Sequence, residues 1–135
     1  MRRLFIVSLL LFYGGCRHGD GLERAAVSGH VTLDGVRLVE GCIAFYPCGN
    51  NKGPVAGGVI QAGNYSLNVH QGPAVGANRV EVHATRKTGR RVSSWGGAMI
   101  DEEVESIPGR YNTNSTLVVE VKTGKNAFDC ELTSK

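Results

Sequence analysis

Two kinds of hydrophobic patterning divide the chain. Residues 4–12 form an apolar run directly behind Arg2 and Arg3, whereas from Val27 onward apolar and polar positions alternate. Alternation with period two marks a strand that buries one face only. Val27, Val31 and Leu33 share one face of a first strand, with Ser28, His30 and Thr32 on the other. Asp34-Gly35 follows as a tight-turn signal, since both residues accept positive φ. Ile43 and Phe45 mark a second strand that Pro47 ends, and residues 55–61 make a third. Ala62-Gly63-Asn64 turns into a fourth strand over 65–69. Residues 79–84 form a fifth, with Val80 and Val82 inward. Residues 117–122 and 127–133 complete the set, joined through Thr123-Gly124-Lys125-Asn126. Seven short strands between turns, with no helical periodicity, predict an all-β domain over residues 26–135. Its expected architecture is a seven-stranded antiparallel β-sandwich.

Residues 85–115 break the pattern and are expected to form a long loop, a length that compact domains usually reserve for function. The stretch opens basic (Arg86, Lys87, Arg90, Arg91) and later turns acidic (Asp101, Glu102, Glu103, Glu105), with Trp95 between. Two readings stand. The charge runs neutralise one another on the surface, or Arg86, Lys87, Arg90, Arg91 and Trp95 form a ligand-contact loop for an acidic molecule or polysaccharide.

The amino-terminal segment has the order of a secretory signal peptide: a basic pair, an apolar run, then small Gly14 and Gly15. The run is too short to span a bilayer, which takes about 20 residues. Arg2-Arg3-Leu4-Phe5-Ile6 also resembles a twin-arginine export motif, although the flanking polar residue is missing. Gly14-Gly15-Cys16 resembles the end of a bacterial lipobox, with Tyr13 where leucine is usual. The resemblance implies a lipoprotein signal peptide over 1–15 and a lipidated Cys16. Residues 17–25, polar and Gly-containing, then read as a flexible tether. The expected location is a cell membrane or outer membrane, with the domain facing the periplasm or exterior.

Composition narrows the remaining choices. The chain carries a net charge of +3, and two of those charges leave with Arg2 and Arg3. A near-neutral remainder argues against nucleic acid as a partner. After Cys16, the other cysteines (Cys42, Cys48 and Cys130) are an odd set for an oxidising compartment. Cys130 alternates with Phe128 and Leu132 and so points inward. Cys42 and Cys48 are near enough in sequence to close a small loop, and whether any pair bridges is left open. His18, His30, His70 and His83 show no metal-binding or catalytic spacing and read as surface residues. Asp101, Glu102, Glu103 and Glu105 lack the spaced ligands of a calcium loop. No metal, cofactor or catalytic residue is expected.

Val27-Ser28-Gly29-His30-Val31-Thr32-Leu33-Asp34-Gly35-Val36-Arg37-Leu38 resembles the opening of carboxypeptidase-regulatory-like domains, of the transthyretin-like (prealbumin-like) group. Gly63-Asn64-Tyr65-Ser66-Leu67 is similar to that group's G-x-Y-x-L strand. The segments around Ile107, Tyr111, Leu117 and Phe128 are similar to the end of small transthyretin-like bacterial lipoproteins. These motifs are turn and core residues, so the resemblance implies fold and export without catalysis. The expected function is a lipid-anchored, non-catalytic binding or structural module of the cell envelope. Its partners would be the membrane through the lipid, and an envelope protein or polysaccharide. The alternatives are an accessory subunit docking another envelope protein, or a small hydrolase of the same fold.

Overall fold

The computed structural model describes residues 21–135. The expected leader over 1–15, Cys16 and residues 17–20 of the tether lie outside the described residues. Eleven strands are present among those described: β1 (Ala26–Leu33), β2 (Val36–Arg37), β3 (Glu40–Pro47), β4 (Ala56–Gln61), β5 (Asn64–Leu67), β6 (Gly76–His83), β7 (Thr85–Ser93), β8 (Met99–Glu105), β9 (Val118–Val121), β10 (Lys125–Ala127) and β11 (Cys130–Leu132). A single 3-10 turn covers Gly109–Tyr111. Nine strands form one curled sheet in the order β10-β1-β5-β4-β3-β6-β9, with β2 and β11 also pairing with β1; β7 and β8 form a separate ribbon.

Each of the seven expected strands has a counterpart, but the count and the pairing differ from expectation. The seventh is divided into β10 and β11, and β2, β7 and β8 are additional. The sheet is not wholly antiparallel, because β10 and β11 both run parallel to β1. The domain also starts earlier than residue 26. Ala25 is fully buried and donates its N–H to Pro73 O, and Arg24 bridges to Ala74. Those bonds fix the end of the expected tether against the sheet.

The alternating apolar residues meet inside the curl. Val27 and Val31 of β1, Ile43 and Phe45 of β3, Ile60 of β4, Tyr65 and Leu67 of β5, and Val80 and Val82 of β6 are all buried. Phe45 and Tyr65 lie 6.2 Å apart between ring centroids, tilted by 46°. Fully burying side chains of this size stabilises by about 1.5–3 kcal/mol each before chain entropy is counted. The two turns read from the sequence have the left-handed backbone they need. Asp34 and Gly35 sit at φ 51° and 78°, and Ala62 and Gly63 at 49° and 78°.

Closure onto β1 hinges on one crossing. Between β10 and β11 the chain bends away from β1, and Phe128 O turns inward to accept the Tyr65 hydroxyl at 2.6 Å. Burial of that hydroxyl pushes its ionisation far above the ordinary tyrosine value. In the same gap Asp129 Oδ1 accepts His30 N–H at 2.8 Å, replacing the absent backbone partner. Gly29 lies beneath the crossing. A β-carbon there would sit 1.9 Å from Phe128 O, which no real contact permits. Gly29→Ala must therefore push the C-terminal strand off β1, and a loss of about 3 kcal/mol is expected. Urea unfolding reads the difference. Gly96→Ala, where a β-carbon meets open space, should stay within about 0.5 kcal/mol of the unmodified protein.

Candidate functional site at the hairpin base and tip

Because Val80 and Val82 turn inward, Arg79, Glu81 and His83 share the outer face of β6. The three side chains touch. Arg79 Nη1 donates to Glu81 Oε1 at 2.5 Å, and His83 Nε2 lies 3.0 Å from Glu81 Oε2. Tyr46, opposite on β3, places its ring 4.8 Å beneath the Arg79 guanidinium. The second ring nitrogen of His83, Nδ1, lies 3.3 Å from Oε2 of Glu105, the last residue of β8. Glu105 Oε1 in turn accepts the N–H groups of Ala84 and Ile107, each at 3.0 Å. One carboxylate thus ties both ends of the β7–β8 ribbon to the sheet.

This network sets the charge states. The Glu81 bond, followed by the one to Glu105, outweighs burial and raises the His83 pKa above its ordinary 6.5. Burial alone would raise Glu81, but His83 and Arg79 more than offset it and hold its carboxyl low. Burial would likewise raise Glu105; the Ala84 and Ile107 amides and His83 bring it below the usual range. With Nε2 and Nδ1 both facing carboxylates, His83 has neither ring nitrogen turned to an open site. The cluster is therefore suited to clamping. Among the described residues no group of three or more His, Cys, Asp or Glu is arranged to hold a metal ion.

The stretch expected as a loop over residues 85–115 is in fact a ribbon through Glu105, followed by the 3-10 turn. Thr85 pairs with Glu105 and Ser93 with Met99, and the register shifts between Lys87 and Arg91. Its strands are held by polar bonds across the ribbon. Lys87 Nζ lies 2.9 Å from Asp101 Oδ2, and Thr85 and Thr88 donate to Glu103 and Glu102. Arg90 and Arg91 pair more loosely, at 3.8 Å to Glu102 and 3.9 Å to Asp101. Exposed pairs of this kind contribute about 0–1 kcal/mol each. Of the four basic residues, Arg86 is the one without an ion pair among the described residues. It borders an open groove of about 380 Å³ at the ribbon base, together with Arg37, Leu33, Val36, Leu38 and Val39. Trp95 sits in the turn, fully exposed. The expected recognition residues are thus gathered on one ribbon, but Lys87, Arg90 and Arg91 spend their charge on β8. That is the neutralising arrangement.

Histidines and cysteines divide similarly. His30 and His70 are exposed as expected, and His30 Nδ1 meets Asn64 Oδ1 at 2.6 Å. His83 departs from expectation: it is half-buried and belongs to a Glu-x-His pair on a single strand, a spacing the sequence reading passed over. Cys42, Cys48 and Cys130 are free thiols. Cys42 and Cys48 are six residues apart on or just beyond one extended strand, roughly 20 Å at about 3.3 Å per residue. A disulfide requires Cα atoms within about 7 Å, so these two cannot close a loop. Cys130 points inward as expected, and burial pushes its thiol up to about 12.

The clamp predicts a stability profile with two limbs. His83, raised in the folded state, contributes fully below pH 6.5 and loses its contribution as pH rises through its folded pKa. Glu81 and Glu105, lowered in the folded state, contribute fully above 4.5 and lose it as pH falls through theirs. Thermal unfolding should therefore show greatest clamp strength between those values. In His83→Gln the fall on the alkaline side should flatten. An identical alkaline limb in both proteins refutes the assignment.

No protein-family model matches the chain, and no curated protein does. Among solved structures, the chain is similar to a 9R-lipoxygenase from Cyanothece PCC8801 at 11% identity and a TM-score of 0.36. That likeness covers 84% of this chain and 16% of the lipoxygenase, and at such a score it carries no argument about fold or activity.

Proposed function

We propose that this protein is a lipid-anchored, non-catalytic binding module of the bacterial cell envelope, with a transthyretin-like domain held to the membrane through Cys16. The observation that carries the reading is the placement of the two ends. The chain enters the sheet where Glu23 and Arg24 bond to Val75 and Ala74, at the start of β6. The β7–β8 ribbon leaves from the other end of that strand, about 26 Å away for eight residues. An anchor at Cys16 thus leaves the ribbon at the far end of the domain from the attachment point. The transthyretin-like fold draws support from its two motif strands lying side by side. Val27 pairs with Leu67 and Gly29 with Tyr65, which joins the V-x-G strand to the G-x-Y-x-L strand.

A docking role with another envelope protein is the second reading. It rests on β9, an edge strand of the curled sheet whose Val118 is exposed. Such an edge offers unpaired backbone groups to an incoming strand. Copurification from crosslinked envelopes separates the two: one stoichiometric protein partner favours docking.

The anchor itself is tested by mass. Polypeptide extracted from membranes should begin at Cys16 and carry diacylglyceryl mass on its sulfur, and Cys16→Ser should abolish that modification. An intact Met1 or an unmodified sulfur overturns the reading.

A further inference from the structure

The ribbon separates charge from apolar surface along its length. Its stem carries every ionisable residue: Arg86, Lys87, Arg90 and Arg91 on one strand, Asp101, Glu102, Glu103 and Glu105 on the other. Residues 92–100 contain none. Within this uncharged cap Trp95 is fully exposed, and Met99 and Ile100 are each about half exposed (51% and 49%). Immediately below it stand Arg90 and Arg91, their side chains 76% and 63% exposed and their ion pairs loose, with Arg91 Nη2 also donating to Met99 O at 2.6 Å. We propose that the β7–β8 tip is a membrane-interface probe: Trp95, Met99 and Ile100 enter the headgroup region of a lipid bilayer, and Arg90 and Arg91 meet its phosphates.

Two physical points select lipid over a protein partner. A stable protein interface takes about 20–30 residues a side, and a cap of nine is too small for that. A bilayer interface requires neither area nor matched hydrogen bonds. It accepts an amphipathic indole at headgroup depth and pairs arginine with phosphate. Gly97, at φ 80°, donates its N–H to Ser94 O at 2.9 Å and closes the turn. The balanced stem below remains hydrated, so the boundary between Arg91 and Val92 sets the depth of entry.

With an anchor at Cys16 on the opposite end of the domain, the bilayer that the tip meets is one that faces the anchoring membrane; the assignment does not depend on that anchor, and its test reads the tip alone. Trp95 is the chain's one tryptophan, so its fluorescence carries no other signal. The full chain is titrated with phosphatidylcholine/phosphatidylglycerol vesicles, half of them carrying brominated acyl chains. The expected result is a shift of emission to shorter wavelength, with quenching by the brominated lipid. Replacing Arg90 and Arg91 together (R90Q/R91Q) should weaken the apparent vesicle affinity by roughly 5- to 30-fold, since each cation near an anionic surface is worth about 1 kcal/mol. Met99→Ser with Ile100→Ser should shorten the shift while leaving the fold intact, because both side chains are on the surface. Emission unchanged by vesicles, with no bromine quenching, overturns the proposal, as does an emission change produced only by envelope polysaccharide or a copurifying protein. The mass of the chain, measured on the same sample, reports separately whether Cys16 is lipidated.

Discussion

The sheet depends on bringing the end of the chain back to its first strand. β1 is paired on one side by β5, from the middle of the sequence, and on the other by β10 and β11, from its end. His30 and Asp129, bonded across the seam, are 99 positions apart. Closing so long a loop costs chain entropy before any contact repays it, and domains dominated by such pairings fold slowly and as a whole. At this seam, a glycine with no side chain, a buried hydroxyl and a carboxylate divide the work. Gly29 lets the strands approach, Tyr65 satisfies the diverted Phe128 carbonyl, and Asp129 caps the amide that the bend leaves open. Losing Gly29 brings a backbone clash, and losing the Tyr65 hydroxyl leaves the part-buried Phe128 carbonyl unpaired, each costing on the order of 1–3 kcal/mol.

The ribbon is built on a different principle. Its strands pair only with one another, and β7 and β8 bury no residue fully. What keeps it in place is the His83 clamp at one end and a ladder of exposed ion pairs along the stem. Such a segment belongs to the low-stability end of a protein's range, where local opening precedes global unfolding. Its attachment is nonetheless firm where it matters. Glu105 bonds to amides on both sides of the ribbon base, so the stem is fixed at its root.

This difference also explains what could be read from the amino-acid sequence. The curled sheet was legible because burying one face writes period two into the residues, as in Tyr65-Ser66-Leu67 and Val80-Glu81-Val82. The ribbon was not, since strands with no buried face carry no such signature. Its signal lay in charge: a basic segment followed, beyond a Trp-Gly-Gly turn, by an acidic one is what cross-strand pairing of opposite charges produces. The parallel placement of β10 and β11 was beyond reach, because no crossover helix announces it. His83 escaped notice for a simpler reason. Each outward residue of β6 looks solvated when read singly, and only the triplet Arg79, Glu81, His83 shows that one carboxylate serves two cations.

Charge pairing on the stem has a consequence for what the ribbon is able to recognise. A cluster of four basic residues reads as an anion site only if its charge is available. Here Asp101 holds Lys87 at 2.9 Å, so an acidic ligand on the stem would have to displace a carboxylate already in place, whereas Arg90 and Arg91, at 3.8 and 3.9 Å from theirs, are held loosely. Electrostatic attraction over distance is correspondingly weak, since a stem of balanced charge has little net field beyond a Debye length of about 8–10 Å. Selectivity must then reside at short range, in the uncharged cap with the two loosely held arginines beneath it, and in Arg86, the ribbon's guanidinium without an ion pair among the described residues, beside the groove at the root. Cap and groove lie at opposite ends of the ribbon, so the paired charges serve chiefly as a spacer that keeps two chemically distinct surfaces apart.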